Sequence, residues 1–82
     1  MNDSEMSARL VSCFHAVFPG LTTDRIIVAD QDSLQAWDSV AGITLITVIE
    51  DEFGVKLDLE RLGELTSFSA IISYLREGSG IK

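Results

Sequence analysis

Apolar residues recur at three- and four-residue spacing in three stretches of the chain, and each stretch predicts a helix. Over residues 4–18 the stripe is Met6, Leu10, Cys13, Phe14, Val17 and Phe18. Ser4 stands where an N-cap belongs, Glu5 faces the positive end of the helix, and Pro19-Gly20 stops it. Over residues 39–53 the inward stripe is Ile46, Ile49 and Phe53, with Gly42 and Leu45 beside them. Asp38 precedes this helix as its N-cap, and Gly54 follows it where a positive φ is usually needed. The rod is roughly 22 Å long. A third helix is predicted over about 67–77, with Thr66 or Ser67 as cap and Phe68, Ile71, Ile72 and Leu75 facing inward.

The stretches between are less regular. Residues 19–38 show no sustained period and read as a long ordered loop, pinned to a core by Leu21, Ile26, Ile27, Leu34 and Trp37. A loop of that length in a compact domain is expected to be functional or to carry a short turn of helix. Val55-Lys56-Leu57 reads as an extended link, after which Asp58 can cap a brief helical turn through Leu59, Leu62 and Leu65. Nothing alternates with a period of two. The predicted fold is all-α: a four-helix bundle of three main helices and one short one, with a long first loop. It forms one domain over residues 1–77, and residues 78–82 form a flexible tail.

Size and charge narrow the function. A chain of 82 residues buries only ~60% of its unfolded surface, which leaves no volume for a large catalytic cleft. Thirteen acidic residues against six basic ones give a formal charge of −7, which repels phosphate backbones and excludes nucleic acid as the expected partner. The same field favours basic partners. The single cysteine, Cys13, rules out an internal disulfide framework. The start of the chain carries no signal-peptide pattern, and its apolar runs of about four residues fall far short of the ~20 that span a bilayer. A cytoplasmic protein with no membrane contact is expected, and no metal site.

Candidate chemistry is sparse. Cys13 and His15 lie two apart on a helix and point in different directions, so a nucleophile–base pair is not expected of them. Asp30 and Asp32 begin like a calcium loop, but Leu34, Gln35 and Ala41 occupy positions that should hold a ligand, a glycine and a terminal glutamate. Glu50-Asp51-Glu52 gathers acids at a helix C-terminus, where the macrodipole disfavours them. Asp38-Ser39 puts a hydroxyl at a helix N-terminus after a long loop, a favourable place for a phosphodiester because backbone N–H groups face the anion.

With these residues in view, the chain resembles the acyl carrier protein family. The likeness is carried by Trp37-Asp38-Ser39-Val40, by Leu45 and Ile49, by Glu50-Asp51-Glu52-Phe53-Gly54-Val55, and by Thr66-Ser67-Phe68 through Ile72-Ser73-Tyr74-Leu75. It implies a carrier without catalysis of its own. It also implies that Ser39 is esterified by 4′-phosphopantetheine, donated from coenzyme A by a phosphopantetheinyl transferase, and that the arm's thiol holds acyl groups as thioesters. Asp38 would cap the helix and help present the serine. Val40, Thr44, Thr47, Glu50 and Asp51 would form the docking face for acyl-loading, acyl-transferring or condensing enzymes with basic surfaces. Ile43, Ile46, Ile49, Ile71 and Leu75 would line a space for a short acyl chain, and the carrier would act as a monomer.

Asp32-Ser33-Leu34 matches the family's usual Asp-Ser-Leu better than Asp38-Ser39-Val40 does. Spacing favours Ser39, which lies 14 residues before Phe53, as the family's second helix requires, whereas Ser33 lies 20 before. Val40 replaces the family's leucine, and Thr44 stands where carriers of fatty-acid synthesis commonly have glutamate, which points to a specialised lipid or secondary-metabolite pathway. An aminoacyl or peptidyl carrier, or a helical interaction module that never takes the arm, are the rival readings.

Overall fold

The computed structural model describes residues 2–57 and 63–78. Among them lie four helices: α1 (Asp3–Val17), α2 (Thr23–Ile26), α3 (Ser39–Phe53) and α4 (Phe68–Gly78). The all-α class, the three longer helices with one short one, and the long first loop are as expected, and no strand occurs among the described residues. The short helix, however, lies inside the first loop. The turn expected after Asp58 falls largely on 58–62, outside the described residues, as do residues 79–82 of the expected tail; Gly78 itself closes α4.

Local capping explains most of the boundaries. α1 starts a residue earlier than its apolar stripe suggests because Asn2, not Ser4, is the cap: its side chain accepts from Glu5 N–H at 2.8 Å. Thr22 caps α2 through Oγ1, which accepts from Arg25 N–H. Ser67 caps α4, its Oγ accepting from Ala70 N–H at 3.0 Å. α3 has the expected cap at both ends, Asp38 at the start and Gly54 at φ 65°, ψ 33° at the finish. A left-handed residue there lets the Gly54 N–H close on the Glu50 carbonyl, and glycine adopts it without a Cβ penalty.

α1 packs against α2, α3 and α4. The core is apolar throughout, with Leu10, Phe14, Ile26, Leu45, Ile49, Ile71 and Leu75 its most enclosed side chains. Of the expected loop anchors, Ile26 and Trp37 are buried, and Leu21 and Leu34 pack half-buried against the core. Ile27 is exposed instead: α2 turns Ile26 inward, and Ala29, three residues on, supplies the second buried contact. The first loop is tied to the start of α4 by backbone bonds from Gln31 N–H to the Thr66 carbonyl at 2.8 Å and from Phe68 N–H to the Ala29 carbonyl at 3.0 Å. These bonds hold the loop in place beside the N-terminus of α3.

Two contacts fasten the far end of α3. Arg9 donates through Nε to Glu52 Oε2 at 2.8 Å and through Nη2 to the Glu52 backbone carbonyl at 2.6 Å, with its guanidinium 5.2 Å from the Phe53 ring centroid. Glu50 reaches past the helix end, where Oε2 accepts from Leu57 N–H at 2.8 Å. Two of the three acids that oppose the macrodipole, Glu52 and Glu50, are thus engaged by a guanidinium and a backbone N–H.

Candidate functional site

The N-terminus of α3 is assembled by three consecutive residues with different tasks. Trp37 is 3% exposed and stacks into an aromatic cluster with Phe14 and Phe18. Asp38, in extended backbone, turns the chain: its Oδ1 accepts from Ala41 N–H at 2.9 Å and its carbonyl from Gly42 N–H at 2.8 Å. Ser39 is the first residue of the helix and is exposed. A buried anchor and a cap therefore leave a hydroxyl facing solvent at the positive end of a helix dipole. The N–H groups of Ser39 and Val40 belong to the first turn, which has no intrahelical acceptor for them.

A cavity of about 240 Å³ opens beside Ser39. Its lining includes Trp37, Gly42 and Ile43 from the α3 region, Gln31 from the first loop, and Gly63 and Leu65 from the segment before α4. Gly42 faces the indole: a Cβ built there would lie 3.4 Å from Trp37 Nε1, an ordinary contact. The residues expected to line a space for an acyl chain do not share one beside Ser39. Ile43 is 53% exposed and borders the cavity, whereas Ile46, Ile49, Ile71 and Leu75 are closed into the core and line no space beside Ser39. Gln31, Gly63 and Leu65 were not expected at the site; they come from separate segments, and no local pattern announces their convergence.

The two serines differ in their surroundings. Ser33 sits in the first loop, where its N–H donates to Asp30 Oδ1 at 2.7 Å. Hydrogen bonds from the Ser33 backbone and then from its side chain hold the Asp30 carboxyl below the usual range. The Ser33 backbone is thus committed to a loop turn, away from any long helix. Ser39 has the helix N-terminus and the cavity.

On the outer side of α3, Val40, Thr44, Thr47 and Asp51 are all exposed, with Val40 at 74%. Glu50 is half-buried and its carboxylate is occupied by Leu57 N–H. Cys13 is buried, as its place in the apolar stripe predicts, while His15 is exposed. No group of three potential metal-ligating side chains occurs among the described residues, and no described helix is long and apolar enough to cross a membrane.

The family described as "Phosphopantetheine attachment site" matches the chain over residues 21–75, from the first loop through α4. A protein named non-reducing polyketide synthase AC, from Didymella fabae, is 41% identical over 44 residues, which is 54% of this chain and 2% of that protein. The chain therefore spans about 2% of the length of this curated relative. No solved structure matches. The family match includes both serines, so the choice between them rests on geometry.

Proposed function

The chain belongs to the phosphopantetheine-attachment family, a family of non-catalytic carriers, and from that premise we propose that Ser39 bears the arm and that its cargo is acyl. The single observation that supports Ser39 is its place as the exposed first residue of α3, directly after the Asp38 cap. In the transfer, Ser39 Oγ attacks the phosphorus that carries pantetheine in coenzyme A. A Ser39 Oγ–P bond forms, the P–O bond to the adenosine moiety breaks, and adenosine 3′,5′-bisphosphate leaves; the hydroxyl proton passes to a base of the transferase.

The residues present suit the group. The first-turn N–H groups and the dipole of α3 favour a phosphodiester at Ser39. The cavity beside Ser39, which Gly42 helps to line, gives the base of the arm somewhere to lie. Once attached, the arm supplies a terminal thiol that holds the cargo as a thioester. The rigid placement of Ser39 and the reach of the arm together raise the effective concentration of cargo at a partner enzyme.

The carrier unit in this proposal runs over residues 1–77 and includes α1, because Met6, Leu10, Cys13 and Phe14 supply much of the core on which α3 rests. For cargo, the likeness to a polyketide synthase favours acyl chains of a specialised pathway over housekeeping fatty acids. The absence of a carboxylate at Thr44 points the same way.

Incubation with coenzyme A and a broad-specificity phosphopantetheinyl transferase, followed by intact-mass measurement, tests the site. One phosphopantetheine is expected on the wild type and on Ser33→Ala, and none on Ser39→Ala. Modification that survives Ser39→Ala overturns the assignment. A wild type that takes no arm supports an unmodified interaction module instead.

A further inference from the structure

Trp37 holds one polar atom without a partner. The residue is 3% exposed, and its indole packs on Phe14 and Phe18. Its backbone N–H donates to the Leu34 carbonyl at 3.0 Å, but the ring Nε1–H donates to no acceptor among the described residues. No fully enclosed polar side-chain atom among those residues lacks a partner, so the little surface that the indole keeps includes Nε1. That atom lies toward Gly42, where a built Cβ would stand 3.4 Å from it, and both residues line the cavity beside Ser39.

A donor in that place sets a condition on what fills the cavity. Ile43 and Leu65 make part of the lining apolar, Gln31 and Ser39 add neutral polar groups, and no charged side chain lines it among the described residues. Asp38 is exposed beside Ser39 but lies outside the lining, with its Oδ1 turned to the Ala41 N–H. The indole N–H is a donor only, so it calls for an acceptor. A donor that solvent reaches is satisfied by water, and an alkyl chain that displaced the water would leave it bare; an occupant with a carbonyl oxygen at that point replaces the lost bond. Because Ser39 lines the same cavity, a chain attached to Ser39 has this donor in the space open to it.

On the footing of the carrier reading above, we propose that Trp37 Nε1–H donates a hydrogen bond to a carbonyl oxygen of the chain borne on Ser39, either an amide of the arm or a carbonyl of its cargo. The cavity is then a subsite for the oxygenated parts of that chain and disfavours a purely alkyl segment.

The chain has one tryptophan, so its indole N–H gives a single NMR resonance. That resonance is compared in three forms of the full chain, each checked by intact mass: unmodified, loaded by a broad-specificity transferase from coenzyme A, and loaded by the same enzyme from 3-oxohexanoyl-coenzyme A. A downfield shift is expected, with exchange against water slowed about fivefold, the protection that a hydrogen bond of ordinary net strength gives. A change complete with the bare arm assigns the acceptor to the arm, and one that needs the 3-oxohexanoyl group assigns it to the cargo. A resonance that stays in place or moves upfield in both loaded forms, or a shift without slower exchange, overturns the inference and leaves the carrier reading standing. A chain that takes no arm overturns both.

Discussion

The Trp37 indole meets the Phe14 ring edge to face, with centroids 5.3 Å apart and planes at 82°. Phe14 in turn lies 5.5 Å from Phe68, so one aromatic series links α1, the end of the first loop and the start of α4. Trp37 is the last buried residue before Ser39, and its position fixes where α3 begins. The tryptophan two residues before Ser39 is therefore packed as an anchor of the fold.

Trp37→Ala removes the side chain that closes this cluster. Truncation of a buried aromatic costs ~3–5 kcal/mol, a large share of the stability available to a domain of this size. A urea titration is expected to show that loss, and Trp37→Phe is expected to recover part of it through the retained Phe14 contact. An unchanged midpoint for Trp37→Ala, with slower transferase turnover, would assign the indole to docking instead.

How much of this was legible beforehand follows from how local each signal is. The limits of α3 could be read because both caps are single residues adjacent to the helix, Asp38 and Gly54. α2 spans four residues, too few to show a period, and four consecutive apolar residues, Ile26 to Ala29, do not reveal which two face inward. Ile43 was grouped with the inner face on hydropathy, yet the buried positions of α3 are Gly42, Leu45, Ile46 and Ile49, which leaves Ile43 outside. The Arg9–Glu52 pair joins residues 43 apart, and the cavity joins three segments; neither leaves a trace in local sequence. The place of Ser39 at the start of α3 was the most legible feature of this region, because the Asp38 cap and the spacing to Gly54 both bear on it.

Gly42 costs α3 helix propensity, and the structure shows room for a methyl group. A Cβ would touch Trp37 Nε1 at 3.4 Å and Cδ1 at 3.8 Å, which are ordinary contacts. Gly42→Ala is therefore expected to stabilise the protein by ~0.5–1 kcal/mol, a rise of several degrees in Tm for a domain this small. Its methyl narrows the cavity beside Ser39. Gly42→Leu has no such room and is expected to lower Tm. A fall in Tm for Gly42→Ala would mean that the indole cannot tolerate even this contact.

Cys13 gives the fold a pH limit on the alkaline side. Its thiol is 2% exposed, and burial, followed by the nearby Glu52 charge, pushes its pKa from 9.0 up to about 11. A raised folded pKa means that the native state holds the proton while the unfolded chain releases it. The contribution is fully present below about pH 9 and is lost as pH rises through about 11. Tm is expected to decline over that window in the wild type, and more steeply than in Cys13→Ala, in which the other alkaline-titrating groups remain. Parallel declines in the two proteins would show that the buried thiol does not drive the loss.

Partner choice among acyl-loading enzymes should depend on Val40 and Thr44, both exposed on α3. Thr44 lies five residues from Ser39, about 7–8 Å along α3 by the helical rise. Its hydroxyl is bonded to the Val40 carbonyl, so a basic enzyme of fatty-acid synthesis finds neither a carboxylate nor a free donor there. A single surface ion pair contributes only ~0–1 kcal/mol, too little to exclude such an enzyme alone. Val40 adds a second deficit, because it presents one methylene less than the leucine common in the family, worth ~0.8 kcal/mol if fully buried. Together the two reach roughly 1–2 kcal/mol, a five- to thirtyfold difference in kcat/KM. The phosphopantetheinylated wild type is therefore expected to accept malonyl groups from a fatty-acid-synthesis malonyltransferase more slowly than Thr44→Glu/Val40→Leu, by about that factor. Each single variant should recover part of it, with Thr44→Glu gaining more at low salt because its contribution is electrostatic. Equal loading of the wild type and the double variant would remove the support that these two positions give to a specialised pathway.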